Sequence, residues 1–192
     1  DSAERRQRFR IDDTAILEIL SVSEQDVEQR QADSFFSRSA AFVLTRELQE
    51  IDRENQALLR SIGDRYSDIA ACLNTINNKI DVIGAAVAEN SLPEDQKLQS
   101  IDLSEGGIGF KHPEKMLEGK FYAMKIWFHK ALVGVAVYIR VVACNRAIDG
   151  GQHISASFYN MPETECKTIT GHIMKVQAAL QRSKKEQTAA NE

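Results

Sequence analysis

The sequence predicts an α+β protein, a small antiparallel β-barrel or sandwich interrupted by a long helical insertion. Two observations carry that expectation. Residues 24–90 hold no proline and are dominated by Ala, Leu, Ile, Glu, Gln, Arg and Asn, a helix-forming composition. Residues 97–160 switch to a period of two punctuated by glycines, as strands and turns do.

The chain opens basic, Glu4-Arg5-Arg6-Gln7-Arg8-Phe9-Arg10, and runs into an apolar stretch from Ile11 to Leu20. A first strand is expected there, although an apolar run by itself is also compatible with helix. In the helical segment, apolar residues recur at the three–four spacing of a heptad. Ala41, Leu44, Leu48, Ile51, Asn55, Leu58 and Ile62 form one run, and Tyr66, Ile69, Leu73, Ile76, Ile80, Ile83 and Val87 form a second. The step between Ile62 and Tyr66 is four where the pattern requires three, a stutter that falls at Gly63. Either one long helix drifts in phase there, or Gly63 ends one helix and a second doubles back. A hairpin of matched arms returns the chain to where it left, as an insertion within a barrel requires, so the hairpin is expected.

The residues filling the heptads bear on assembly. Leu73 and Ile80 fall at a, with Ile69, Ile76 and Ile83 at d; in the first arm Leu48 is at a and Ile51 at d. Leu at a with Ile at d disfavours a parallel dimer and shifts preference to trimers or tetramers, and Asn55 at an a position is a register-setting polar residue. The plain alternative is a hairpin whose arms pack only on each other. Self-association through both runs is expected, as a tetramer.

Beyond the insertion, Tyr122, Met124, Ile126 and Phe128 alternate, as do Val133, Val135, Val137, Ile139 and Val141, and then Ile154, Ala156 and Phe158. Gly119, Gly134 and Gly150-Gly151 separate them. Several short strands in one small domain suggest closure into a barrel or sandwich. A last helix is expected from Met161-Pro162-Glu163, with Ile169, Ile173, Val176 and Leu180 on its apolar face, fraying from Gln181 onward. The expected domains are thus 1–22 with 95–182, an inserted helical oligomerisation segment over 24–90, and a polar tail over 183–192.

Composition narrows the function. The 192 residues are 43% hydrophobic and 27% charged, a globular balance, with a formal net charge of −4. General nucleic-acid binders are basic, so DNA and RNA are not expected partners. Cys72, Cys144 and Cys166 form no C-x-x-C pair, which argues against a disulfide framework or zinc site and for a reducing cytoplasm. No apolar run is long enough to span a bilayer. His112, His129, His153 and His172 are scattered without metal-ligand spacing and are read as surface or packing residues. No Walker A, G-x-S-x-G or zincin motif is present, and no nucleophile–base pair stands out, so neither enzymatic activity nor a cofactor is expected.

Two clusters carry chemistry. Arg6 and Arg10 lie four apart, with Arg5 and Arg8 beside them. A guanidinium fork matches phosphate oxygens and the O6/N7 edge of guanine, and it stacks on purines. The plain alternative is a solvated basic N-terminus. The second cluster is Asp102-Leu103-Ser104-Glu105-Gly106-Gly107. On a strand, Asp102 and Ser104 project to one face. The carboxylate can accept from guanine N1–H and N2–H₂, and glycines let backbone approach a ligand. The plain alternative is a turn in which Asp and Ser bond local backbone.

Joined, the E-R-R-x-x-x-R start and D-x-S-x-G-G resemble the two-part signature of the PilZ family. Gly119 before a strand pair, the Ile154-Ser155-Ala156-Ser157-Phe158 strand and a C-terminal helix agree with it over residues 4–22 and 95–182. The resemblance implies a six-stranded antiparallel β-barrel, non-enzymatic, that binds cyclic di-GMP. It implies Arg5, Arg6, Arg10, Asp102, Ser104 and Gly107 as ligand-binding residues. Ser155 departs from the family's usual glycine, and the helical segment separates the motifs more than is usual. A downstream protein partner is compatible with such a receptor. The alternative is an interaction scaffold whose barrel no longer binds the nucleotide.

Overall fold

A computed structural model of the protein describes residues 10–37, 40–90, 97–128, 133–147 and 150–189. Six strands alternate inward and outward: β1 (Ile11–Ser21), β2 (Leu98–Ser104), β3 (Gly107–His112), β4 (Phe121–Phe128), β5 (Val133–Arg146) and β6 (Gln152–Tyr159). They close into an antiparallel barrel in the order β1-β2-β3-β6-β5-β4. The period-two positions read from the sequence line its interior. Met124, Ile126, Phe128, Val135, Val137, Ile139, Val141 and Ile154 are buried, with Leu103, Ile108 and Phe110 beside them. The apolar run from Ile11 is a strand, with Ile11 opposite Leu103 and Ile16 opposite Leu98 of β2. The insertion therefore joins two strands that pair with each other. A bulge between Val141 and Ala143 shifts the register of β5 against β6.

Residues 24–37 depart from the uniform helix that their composition suggests. Ser23 caps a short α1 (Glu24–Gln29) in a reciprocal capping box with Asp26, and a 3₁₀ turn follows over Ala32–Phe35. This segment packs on the outer side of the barrel. Val27, Ala32 and Phe36 are buried, Phe35 meets Tyr138 of β5 edge-on at 6.3 Å, and the Tyr138 hydroxyl donates to Arg30 O at 2.9 Å. Burial of these side chains overrides helix propensity, which is a weak preference.

Helix α4 (Glu163–Ala189) begins as expected, with the Cys166 N–H bonded to Pro162 O at 3.0 Å. Ile169, His172 and Ile173 are buried, and the His172 ring lies 2.6 Å from Asp13 Oδ2 of β1. Val176 is half-buried and Leu180 exposed, so the apolar face is covered only over its first half. The helix nevertheless runs to Ala189, past the point where fraying is expected.

The chain divides into two compact units. The first is Asp1–Phe36 with Leu98–Ile126 and Val135–Glu192; the second is Ser37–Lys97 with Trp127–Gly134. In the second, α2 (Ala40–Gly63) and α3 (Ser67–Asn90) have 24 residues each, about 36 Å long at 1.5 Å per residue. They pack against each other as a hairpin. The Asp64 N–H bonds Arg60 O at 3.0 Å and the Tyr66 N–H bonds Ile62 O at 2.7 Å, closing the turn. Gly63 ends α2 without a positive φ, so a left-handed cap is not its role; it lies beside Ala70, whose Cβ is 3.7 Å from where its own would be.

The face that α3 buries is not the isoleucine stripe. Among its described side chains the covered ones are Ala70, Leu73, Asn77 and Gly84, so Leu73 of the heptad run is half-buried and does not share the exposure of the isoleucines. Ile69, Ile76, Ile80, Ile83 and Val87 are exposed, as are Ile51, Asn55 and Leu58 of α2 and Tyr66 of the turn. Leu48 and Ile62 are half-buried.

Candidate functional site

Pairing of β1 with β2 brings Arg10 of the first motif beside Asp102 of the second. Alternation sends Ile101 and Leu103 of β2 into the core and turns Asp102 outward. Arg10 immediately precedes β1, and its Nη1 donates to Asp102 Oδ2 at 2.5 Å, across 92 residues of chain. The side chains are 51% and 35% exposed, so this pair contributes little to stability. The other Asp102 oxygen, Oδ1, is buried without a hydrogen-bond partner among the described residues, a cost that a donor reaching the carboxylate would offset.

Next to this pair the outer face of the barrel is nearly bare. In register, Asp12 lies opposite Asp102, Asp102 opposite Gly109, and Gly109 opposite Ser155. One step along, Gly107 lies opposite Ser157 and Ser157 opposite Arg140. Outward positions of β3 and β6 therefore make a floor of Gly107, Gly109, Ser155 and Ser157. A Cβ on Gly109 would sit 3.4 Å from Asp102 Cβ and 3.6 Å from His153 Cε1, so the glycine leaves a level surface between them. Ser155, in place of the family's glycine, is half-buried in this floor. A flat strip of small residues with cations at its edges suits a planar anionic ligand such as a purine nucleotide.

The observed partners of Ser104 and Gly107 are local. The buried Ser104 hydroxyl donates to Gly107 O at 3.2 Å across the β2–β3 turn. A Cβ on Gly107 would come within 2.3 Å of Ala156 O, so glycine there permits β3 to approach β6. Ser104 does what the plain-turn alternative assigns it, while Gly107 sets the approach of β3 to β6. Arg5 and Arg6 lie outside the described residues.

Two side chains at the rim are not among the site residues expected from the sequence, which reads His153 as a surface or packing residue and does not single out Arg140. His153 borders Gly109, and Arg140 stands on β5 at the far side of the floor. The signal for Arg140 is its place between Ile139 and Val141, which puts it on the outer face; its pairing with Ser157 depends on strand order and register. Among the described residues, no cluster of His, Cys, Asp and Glu could hold a metal ion, and no helix is long and apolar enough to cross a membrane.

Comparison with known proteins agrees with this architecture. Residues 83–175 match the family model of the PilZ domain. No curated protein matches the sequence. Among solved structures, the chain is similar to a pathogenic protein from Xanthomonas campestris, described as a tetrameric PilZ domain self-assembled via a helical bundle. The TM-score is 0.54 at 11% identity, over 91% of this chain and 90% of that one. A second match is YcgR from Escherichia coli in complex with c-di-GMP, with a TM-score of 0.39 at 16% identity, over 49% of this chain and 42% of that one. The family match over residues 83–175 identifies a PilZ domain in this chain, and a long helical pair is inserted between the first two strands of the barrel.

Proposed function

We propose that the protein is a non-enzymatic cytoplasmic receptor for cyclic di-GMP, oligomerised through its helical pair. The observation that carries the receptor reading is the contact between Arg10 and Asp102 beside the glycine and serine floor. Arg10 and the Arg5/Arg6 pair supply forks for phosphate or the O6/N7 edge of guanine, and the Asp102 carboxylate accepts from the opposite edge of the base. In the free protein Arg10 and Asp102 neutralise each other, so the ligand substitutes for this pair instead of meeting two unpaired charges. Isothermal titration with cyclic di-GMP tests the reading. Arg10→Ala should weaken binding by about tenfold to a hundredfold, the equivalent of one charged hydrogen-bonding group. No binding by the unmutated protein would overturn it.

The assembly reading rests on the exposed isoleucine stripe of α3 with Ile51 and Leu58 of α2, too much apolar surface for a helix pair to leave in water. The occupant we assign is a second copy of the same helical pair, and a tetramer is the expected number. The Xanthomonas campestris protein, described as a tetramer built on a helical bundle, supports that choice. A second reading, a scaffold whose barrel binds no nucleotide, is favoured by the local roles of Ser104 and Gly107, since those residues would be needed for the fold in either case.

A further inference from the structure

Arg140 is placed by contacts that leave the working end of its side chain unused. Its Nε donates to Gly119 O at 3.2 Å. That acceptor is fixed: Gly119 holds a φ of +78°, and its N–H bonds Val141 O at 2.8 Å. The guanidinium carbon lies 5.8 Å from the centre of the Phe121 ring, and Phe121 meets Tyr159 edge-on at 4.7 Å. Neither Nη1 nor Nη2 has a hydrogen-bond partner among the described residues, and the side chain is exposed. An arginine oriented at its base and open at its tip is preorganised for a ligand, because less rotamer freedom is lost on binding.

Its position gives the ligand's chemistry. From β2 to β5 the face spans three inter-strand spacings, roughly 14 Å. Arg10 and Asp102 stand at one side, Arg140 at the other, and Gly107 and Ser157 lie between. One purine can touch one side only, whereas two purines joined through phosphates can touch both. Resting on the receptor reading above, we propose that Arg140 contacts the second guanine of the cyclic dinucleotide, its Nη donors on the O6/N7 edge, and so contributes selectivity for guanine. Adenine presents an amino donor at the position of O6, which a guanidinium cannot pair with. Arg140 is thus a specificity residue separate from the arginines of the N-terminal motif.

The test is displacement of labelled cyclic di-GMP from the full chain by cyclic di-GMP and by cyclic di-AMP, for the unmutated protein, Arg10→Ala and Arg140→Gln. Arg140→Gln should weaken cyclic di-GMP by about tenfold to a hundredfold. It should also narrow the preference over cyclic di-AMP by at least about tenfold, because a glutamine amide can pair with adenine N6 and N7. Unchanged cyclic di-GMP affinity, or an equal loss for both ligands, overturns the proposal. If Arg140→Gln melts early because the Gly119 contact is lost, the displacement is measured at a temperature below its melting, where a guanine preference equal to that of the unmutated protein overturns the proposal. Failure of the unmutated protein to bind cyclic di-GMP would overturn the receptor reading itself. A defect in Arg10→Ala with none in Arg140→Gln would overturn only the role of Arg140.

Discussion

The barrel and the helical pair bury apolar residues in opposite ways. In the barrel, Leu103, Met124, Ile126, Ile139 and Ile154 are wholly inaccessible, each enclosed by strands of the same chain. In the helical pair, Ile69, Ile76 and Ile83 are 53%, 46% and 63% exposed, while Ala70, Leu73, Asn77 and Gly84 occupy the covered side of α3. One region closes its core within a single chain; the other holds the residues of a core with no core around them. Apolar residues thus build a closed core in one region and an uncovered stripe in the other.

The largest expected effect comes from separating these two kinds of burial. Ile69→Asn with Ile76→Asn removes apolar groups that would each contribute roughly 1.5–3 kcal/mol when buried in an intermolecular seam. It also puts amides there at a further cost on the order of 1–3 kcal/mol. The expected outcome is dissociation to monomers in sedimentation equilibrium, with the melting of the barrel and its ligand affinity retained. An unmutated protein that is monomeric at micromolar concentration would show that the stripe has no partner copy. A dimer would keep self-association and remove the tetramer.

The converse perturbation leaves the helices alone. Gly107→Ala places a Cβ about where Ala156 O already sits, at 2.3 Å, so β3 and β6 must separate. A backbone clash of this kind costs about 1–3 kcal/mol. Urea unfolding should show a lowered midpoint while sedimentation still reports the assembly of the unmutated protein. A normal midpoint combined with lost ligand affinity would mean that Gly107 serves the ligand and not the strand contact.

Legibility in the sequence followed whether a feature repeats locally or depends on a distant partner. The alternation of Val133 to Val141 specifies a barrel wall without knowledge of its neighbours, and the stutter at Gly63 marks the hairpin. Arg10 and Asp102 could be linked across the insertion only because both motifs resemble one family signature; no spacing rule joins residues 92 apart. Residues 24–36 were misread as the start of a long helix because Phe35 and Arg30 find their partner in Tyr138, more than a hundred residues later. Arg140 stayed hidden for the same reason, since its importance lies in facing Ser157 and Gly107 across two strands. The heptads identified the apolar stripe but not which helix face the hairpin would cover. The covered side carries Ala70 and Gly84, small residues that stand outside the heptad pattern.

The smallest expected effect concerns that misread segment and sharpens its assignment to the barrel. The Ser23 hydroxyl accepts from the Asp26 N–H at 3.1 Å and donates to Asp26 Oδ2 at 2.6 Å, while the Ser23 N–H donates to the same oxygen at 3.0 Å. The hydroxyl contact first, and the backbone contact second, hold the Asp26 carboxyl below its ordinary value of 3.8. A carboxylate whose pKa is lowered by folding stabilises the folded state at pH values above that ordinary value. The contribution disappears as pH falls through the lowered value, because both states are then protonated. Ser23→Ala removes the hydroxyl and leaves the backbone donor. It should lower the urea midpoint at pH 7 by less than Gly107→Ala does, and the gap from the unmutated protein should shrink as the pH is taken down through the lowered Asp26 value. Tyr138 fluorescence should report the loss together with the barrel transition, because the segment lies on β5. A separate early transition in Ser23→Ala would mean that residues 24–36 unfold on their own and do not belong to the barrel's cooperative unit.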